Sequence, residues 1–173
     1  MLKERDREMT YILALISAVI VVLADQLTKI AVASNLTLGC TPEPLIPYLF
    51  NLTYIHNRGG AWGILSSHRA VLLILTCAVM AACVFILVKY CRKKPLLFWA
   101  LSLVLAGGVG NMYDRIFRDG NVIDFLQFAF WTDFPVFNVA DISVVVGCGL
   151  MILSFVLDFI KESKEKQNEN LDH

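Results

Sequence analysis

Four long apolar stretches constrain the fold of this chain more than any other feature of its sequence. They cover residues 11–33, 70–88, 96–113 and 139–160. The first stretch would form a helix of about 34 Å, which is long enough to cross the hydrocarbon core of a bilayer. Hydrophobic residues make up 57% of the chain and charged residues 17%, which is unlike a soluble domain. We therefore predict a mainly α membrane protein with four transmembrane helices, forming a single domain over residues 1–173.

The basic residues predict how these four helices are oriented. Four spans place both termini and the loop after the second span on one side of the membrane. That side carries ten of the fifteen Lys and Arg residues, namely Lys3, Arg5, Arg7, Lys89, Arg92, Lys93, Lys94, Lys161, Lys164 and Lys166. Since cytoplasmic loops are enriched in basic residues, we expect both termini in the cytoplasm. The net charge is zero and there is no basic block, so nucleic acid is not an expected partner.

This topology brings most of the polar residues of the spans to one level, near the outer face. Asp25 lies fourteen residues after Tyr11 and rises about 21 Å toward that face. The complete predicted cluster is Asp25, Lys29, Asn111, Asp114, Arg115, Asp124, Asn138 and Asp141. An ionisable group in a membrane span is costly, so such a cluster indicates a functional site.

Asp124 and Asp141 are the candidate catalytic residues of this cluster. Two carboxyl groups held close together share a proton, so one can accept a proton from water while the other donates. A structural interpretation of Asp141 remains open, because Asn138 and Asp141 have the spacing of a helix capping box. Asp124 could equally be an ordinary residue of the membrane interface. The spacing alone does not decide between these alternatives.

The other charged residues also allow two interpretations. Asp25 and Lys29 stand four residues apart, which favours an ion pair on one helical face over a direct catalytic role. Asp114 and Arg115 could be a charge cluster at the end of the third span, although an arginine also suits a carbonyl or phosphate. Asn111 lies one turn before Arg115 on the same face.

The outer segments, residues 34–69 and 114–138, are predicted to be loops at the membrane interface. Leu49 to His56 is rich in β-forming residues and predicts a short strand. Trp62, Trp131 and the neighbouring phenylalanines suit the headgroup region. In the third span, glycines 107, 108 and 110 predict close helix packing.

Several other kinds of chemistry are disfavoured by the sequence. The chain has no H-E-x-x-H or G-x-S-x-G motif and its three histidines do not cluster. Its five cysteines form no C-x-x-C pair, so we predict neither a zinc site nor a disulfide framework. Ala31 to Ala33 resembles a signal-peptide cleavage site, but the leader is not basic on balance, so we expect the first span to be a retained anchor.

Six short motifs resemble those of a known family, the lipoprotein signal peptidases or signal peptidase II. They are DQLTK from Asp25, NRGGAWG from Asn57, GGVGN from Gly107, DR at Asp114, VIDF from Val122 and FNVAD from Phe137. They occur in the family's order, and the resemblance covers residues 10 to 160. Trp62 stands where phenylalanine is also common in the family, a departure that affects no catalytic position.

The resemblance implies an aspartic endopeptidase of the bacterial cytoplasmic membrane with a small β-cradle on the outer side. Its expected partners are membrane lipids and lipid-modified prolipoproteins, which it would cut N-terminal to the diacylglyceryl-modified cysteine. The implied roles are catalysis for Asp124 and Asp141, polar contacts around the site for Asn57, Asn111, Arg115 and Asn138, and support for Asp25, Lys29 and Asp114. No metal or cofactor is implied, and we expect a monomer.

Two rival hypotheses remain. A presenilin-type protease is suggested by Tyr113-Asp114, but its GxGD motif corresponds to Gly108-Val109-Gly110-Asn111 here, which lacks the aspartate. A small proton-coupled transporter would use the carboxylates as a relay. That hypothesis predicts acids distributed through the membrane depth, whereas these acids are predicted to lie at one face.

Overall fold

The structure, a computed structural model, describes residues 2–59, 69–90 and 94–169. Its helices are α1 (Leu2–Asn35), α2 (Arg69–Tyr90), α3 (Pro95–Phe117) and α4 (Val139–Glu169). All four are long and apolar enough to cross a membrane, and each contains one predicted span, so that prediction is confirmed. Some predictions fall outside the described residues. They concern residues 60–63 (including Trp62), His68, Cys91, Arg92, Lys93 and His173.

Large apolar side chains cover the outer surfaces of α1, α2 and α4. Leu27, Ile74 and Phe159 are 64%, 68% and 71% exposed. An apolar surface of this extent is unfavourable in water but matches the hydrocarbon chains of lipid. The apolar excess of the sequence therefore lies where lipid would surround the helices.

Helix α3 occupies the centre of the bundle and packs against the other three helices. It begins at Pro95, whose fixed φ and missing N–H suit the first position of a helix. Leu97 and Leu101 form a core with Cys83 of α2. The central position of α3 explains why it is less apolar than α2, since fewer of its side chains face outward.

The three glycines of α3 face three different helices, which confirms the prediction of close packing. A Cβ atom added to Gly107 would collide with the carbonyl oxygen of Ala140 in α4. A Cβ atom at Gly108 would lie 3.2 Å from Met80 of α2, and one at Gly110 would lie 2.6 Å from the carboxylate of Asp25 in α1. Side chains at these positions would push the helices apart, so glycine permits the observed approach.

A three-stranded antiparallel sheet lies at one end of the bundle. Its strands are β1 (Glu43–Ile46), β2 (Phe50–Asn57) and β3 (Val122–Phe128), in the order β1-β2-β3. The strand predicted at Leu49 to His56 is confirmed as β2, within one residue. The sheet packs on α1, where Val32 contacts a core that includes Tyr54 and Phe125.

Within the predicted outer segments, 34–69 and 114–138, β1 and β3 join the predicted strand β2 to form the small sheet that the resemblance implied. Helices α1 and α3 also continue beyond the predicted spans, to Asn35 and Phe117. After α3, Asp119 and Gly120 adopt positive φ angles of 55° and 84°, and this turn directs the chain into β3. The segment carrying Asp124 is therefore a strand paired with β2, which local sequence could not reveal because pairing is a long-range event.

Candidate active site

A cavity of about 500 Å³ lies between α2, α3, α4 and the strand β3. Apolar side chains of the helices line most of it, including Leu75, Met80, Val104 and Val144. Its polar wall is formed by Asn57, Asn111, Arg115, Asp124 and Asp141. The structure thus brings five of the nine predicted site residues to the wall of one cavity.

Asp124 lies on β3, and its side chain is buried among amide donors. Its Oδ1 accepts a hydrogen bond from Asn138 Nδ2 at 2.6 Å and its Oδ2 accepts one from Asn57 Nδ2 at 2.8 Å. Burial and the negative charge of Asp141 raise the pKa of Asp124 from 3.8 to about 7, although the two amide donors oppose that rise. Asp124 can therefore carry a proton near neutral pH.

Asp141 occupies the third position of α4 and takes part in a reciprocal cap. Its backbone N–H donates to Asn138 Oδ1 at 2.9 Å, and the Asn138 N–H donates to Asp141 Oδ2 at 3.1 Å. The predicted capping interpretation is confirmed. The cap does not exclude a chemical role, because Asp141 Oδ1 accepts a separate hydrogen bond from Asn111 Nδ2 at 2.7 Å and the side chain lines the cavity.

Asn138 connects the two candidate aspartates. Its Oδ1 accepts the backbone N–H of Asp141, so its Nδ2 must be the end that donates to Asp124. The residue is fully buried, which fixes this orientation. One side chain therefore links the N-terminus of α4 to β3 and holds the two carboxyl groups beside the same cavity.

A fully buried ionic cluster lies behind the cavity wall. The predicted pair of Asp25 and Lys29 is confirmed, with 2.9 Å between Asp25 Oδ2 and Lys29 Nζ. Lys29 Nζ also lies 2.9 Å from Asp114 Oδ2 and donates to Asn111 Oδ1 at 3.1 Å. Asp114 contacts Arg118 as well, at 3.3 Å. Asp114 is therefore part of an internal network and not only of a charge cluster at a helix end.

Arg115 is a buried cation on the wall of the cavity. Its side chain is 7% exposed, and its guanidinium donates to the Asn111 carbonyl oxygen at 3.3 Å. The guanidinium contributes positive charge to a wall that also carries the carboxyl groups of Asp124 and Asp141.

Sequence reasoning missed two polar residues around this network, Gln26 and Arg58. Gln26 Nε2 donates to Asp25 Oδ2 at 3.0 Å and to Asp114 Oδ1 at 3.2 Å. Arg58 Nε donates to Asn121 Oδ1 at 2.7 Å, next to the start of β3. The signal for Gln26 was present, because a polar residue beside Asp25 in an apolar stretch is itself unusual.

His56, on β2, lies outside the helices and near two arginines. Burial and the positive charges of Arg58 and Arg118 lower the pKa of His56. Its Nε2 is 2.9 Å from the hydroxyl of Tyr54. His56 is absent from the cavity wall. In the part of the chain that the structure describes, no three His, Cys, Asp or Glu side chains are grouped to hold a metal ion.

Comparisons with known proteins agree with the resemblance seen in the motifs. The model of the family described as signal peptidase (SPase) II matches residues 17–157. A lipoprotein signal peptidase of Symbiobacterium thermophilum is 44% identical over 147 residues, which cover 84% of this chain and 95% of that protein. A lipoprotein signal peptidase of Staphylococcus aureus strain JH9 is 37% identical over 155 residues, covering 89% and 93%.

Solved structures show the same architecture. A bacterial membrane enzyme solved by the in meso method at 2.3 Å resolution has a TM-score of 0.78 and 36% identity, over 87% of this chain and 89% of the other. A second such structure, at 1.9 Å resolution, has a TM-score of 0.74 and 37% identity, over 84% and 92%. The chain therefore belongs to the signal peptidase II family, the lipoprotein signal peptidases.

Proposed function

We propose that this protein is an aspartic endopeptidase that removes signal peptides from diacylglyceryl-modified prolipoproteins, cutting N-terminal to the lipidated cysteine. Its family supports signal-peptide cleavage from lipoproteins. The observation that carries the aspartic mechanism is the position of Asn138, which hydrogen-bonds both Asp124 and Asp141 beside one cavity.

The two carboxyl groups divide the work of hydrolysis. Asp124 holds the proton at rest, consistent with its pKa of about 7. Asp141 lies in the first turn of α4, where the helix dipole favours a carboxylate. Asp141 takes a proton from water as the water oxygen attacks the scissile carbonyl carbon. Asp124 donates its proton to the carbonyl oxygen in the same step.

The tetrahedral intermediate then breaks down, and the two carboxyl groups return to their starting protonation states. The bond between carbon and nitrogen breaks as Asp141 donates its new proton to the leaving nitrogen. The hydroxyl proton of the intermediate returns to Asp124 as the carbonyl group re-forms. Asn57, Asn111 and Asn138 hold the carboxyl groups through hydrogen bonds during these steps. Arg115 offers its guanidinium to a carbonyl oxygen of the substrate.

The mostly apolar lining of the cavity suits a substrate that lies in the bilayer. Helix α2 packs mainly on α3, whereas α4 packs on both α3 and α1. Residues of α2 and α4 line the cavity together with residues of α3. A lipid anchor contributes about 0.8 kcal/mol per buried CH₂ group, so the modified precursor stays in the membrane and approaches sideways. The signal helix would contact the apolar wall, and the scissile bond would lie at the polar end.

We place both termini in the cytoplasm and the active site at the outer face of the cytoplasmic membrane, with the chain acting as a single domain and a monomer. The excess of basic residues at the termini and after α2 supports this orientation. The buried charges gather at the end of the bundle that carries the sheet, an arrangement unlike a proton relay through the membrane. Reporter fusions at residue 173 that are active only outside the cytoplasm would contradict the orientation.

The decisive experiment compares Asp124→Asn and Asp141→Asn with Asp133→Asn on a lipid-modified prolipoprotein. Asp133 is exposed in the loop before α4 and does not line the cavity, so it is a matched control for loss of one carboxylate. We expect folded protein in all three variants, near-complete loss of cleavage in the first two and wild-type cleavage in the third. Substantial turnover by either cavity variant would remove that residue from the catalytic pair.

A precursor whose cysteine carries no lipid tests the substrate class. We expect this precursor to be cleaved far more slowly than the modified one, because it lacks the anchor that concentrates it at the site. Equal rates for the two precursors would indicate a general membrane protease and not one specific for lipoproteins.

A further inference from the structure

Directly before each proposed catalytic aspartate lies a residue whose backbone N–H donates to a buried carboxylate. The two carboxylates belong to two other elements, the helices α1 and α3. For Asp141, that residue is Ala140. Its backbone N–H donates to Asp25 Oδ1 at 2.9 Å. Asp25 belongs to α1 and is 115 residues away in the chain, and both residues are fully buried. Helix α1 thus holds the first turn of α4 in place.

The second contact has the same form. The residue before Asp124 is Ile123, whose backbone N–H donates to Asp114 Oδ2 at 3.2 Å. Asp114 belongs to α3 and is fully buried. This hydrogen bond holds strand β3 against the end of α3.

Lys29 joins the two contacts into one unit. Its Nζ lies 2.9 Å from Asp25 Oδ2 and 2.9 Å from Asp114 Oδ2, and all three side chains are fully buried. A lysine ammonium can only donate, so its contact with Asn111 Oδ1 at 3.1 Å directs the Nδ2 of Asn111 toward Asp141. Charged hydrogen bonds away from water are strong and directional, which suits them to holding a geometry.

We infer that Asp25, Lys29 and Asp114 form a clamp that sets the separation of the two catalytic aspartates. The inference rests on the proposed function, because it assigns the clamp to the same reaction. None of the three residues lines the cavity that would hold the substrate, so we assign them as positioning residues. The clamp acts through the backbone, on the residue that immediately precedes each reacting side chain.

This role predicts a specific kinetic signature. Hydrolysis needs both carboxyl groups around one water molecule, and a misplacement of about 1 Å in an active site can reduce the rate about 10²-fold. Loss of a clamp contact is therefore expected to lower kcat. KM is expected to change little, because the cavity that binds the substrate is unaltered.

A matched pair of double variants isolates the contact with Ala140. Asp25→Asn with Lys29→Met removes one negative and one positive charge, so the net charge of the buried cluster is unchanged. It retains a side-chain oxygen that can accept the Ala140 N–H. Asp25→Leu with Lys29→Met has the same charge and nearly the same shape but offers no acceptor. The contact between residue 25 and the segment that carries Asp141 is the hydrogen bond to Ala140, and only the Asn form can make it.

We expect kcat of the Leu form to be roughly 10- to 100-fold lower than that of the Asn form, at similar KM. This factor is on the order of the rate lost when a catalytic group is misplaced. Both values are measured on the lipid-modified precursor with protein shown to be folded by circular dichroism. Equal kcat values for the two folded forms would overturn the clamp, because a merely structural role would change the fraction folded and not the rate of the folded enzyme.

Amide hydrogen exchange tests the clamp independently of catalysis. In the wild-type protein we expect the amides of Ala140 and Ile123 to exchange slowly, with at least tenfold faster exchange at Ala140 in the Leu form, about the effect of losing one buried hydrogen bond. Exchange of the wild-type Ala140 amide at the rate of an unprotected peptide would overturn the inference, even if the Leu form fails to fold. Absence of cleavage by the wild-type protein, with slow exchange at both amides, would refute the proposed function and leave the clamp as an observed structural unit.

Discussion

The contribution of Asp124 to the stability of this protein is expected to fall as pH rises from about 4 to about 7, and Asp124→Asn is expected to remove this part of the pH dependence. Burial and the charge of Asp141 raise the pKa of Asp124 from 3.8 to about 7. Between these values the folded state binds a proton that the unfolded state releases. The contribution to the free energy of unfolding is therefore fully present below pH 3.8 and is lost as pH rises through about 7.

The size of the effect follows from the change in pKa. Each tenfold change in a protonation equilibrium corresponds to about 1.4 kcal/mol. The rise from 3.8 to about 7 thus corresponds to a loss of about 4 kcal/mol in the free energy of unfolding. For a chain of this length, that loss lowers Tm by roughly 10 °C.

The assay is thermal unfolding in detergent micelles, followed by circular dichroism at several pH values from about 4 to 8. The amide group that Asp124→Asn introduces does not titrate, and it would face the amides of Asn57 or Asn138 at every pH. The contact between the new amide and these amides therefore shifts the Tm of the variant by an amount that does not depend on pH, so the informative quantity is the slope of Tm against pH. Asp133→Asn serves as the control, because loss of this exposed carboxylate is expected to leave the pH dependence unchanged.

The same decline of Tm with pH in wild type and Asp124→Asn would refute this reasoning. Such a result would mean that Asp124 is already ionised at low pH in the folded protein. The assignment of the resting proton to Asp124 would then be wrong as well.

Three further predictions concern packing, capping and a distal ion pair. Gly147→Ala is expected to lower the free energy of unfolding by about 1–3 kcal/mol, because its Cβ would lie 2.7 Å from the Ala100 carbonyl oxygen in α3. Gly149→Ala, which has open space, is the control, and equal Tm values for both variants would contradict the packing argument. Asn138→Ala is expected to lower that free energy by at least about 1 kcal/mol through loss of the cap and to reduce cleavage severely. Unchanged cleavage would show that Asn138 does not hold the catalytic pair. Lys94→Met is expected to change Tm by only a few degrees, since its ion pair with Asp158 is exposed and such pairs contribute at most about 1 kcal/mol to the free energy of unfolding. A larger drop in Tm would show that this ion pair stabilises the packing of α3 and α4.

The membrane helices could be predicted from the sequence because the responsible signal is local. A stretch such as residues 70–88 carries no charge, and its length alone matches the thickness of a bilayer. The sequence predicted the ends of the helices less accurately. Helix α3, for example, continues to Phe117, beyond the apolar residues that predicted the third span. Those last turns are held by internal contacts of Asp114 and Arg115, which hydropathy does not measure.

The strand β3 shows the limit of such reasoning. Its residues, Val122–Phe128, are mostly aromatic or apolar, and the outer segment that contains them was interpreted as an interface loop. They form a strand because β2 supplies the partner, with Ile55 opposite Asp124. Pairing across such a distance depends on the whole fold.

The sequence by itself determined that this chain has four membrane-capable helices, and its motifs determined the family, because hydropathy and short motifs depend only on neighbouring residues. It also offered the cap at Asn138, a contact that spans three residues, as one of two interpretations of Asp141. Only the tertiary structure decided that Asp25 holds Ala140, that Lys29 joins Asp114, and that Asn138 reaches Asp124. Each of these buried contacts is stable only where several elements exclude water and supply its partners together, so no single stretch of the sequence could specify it.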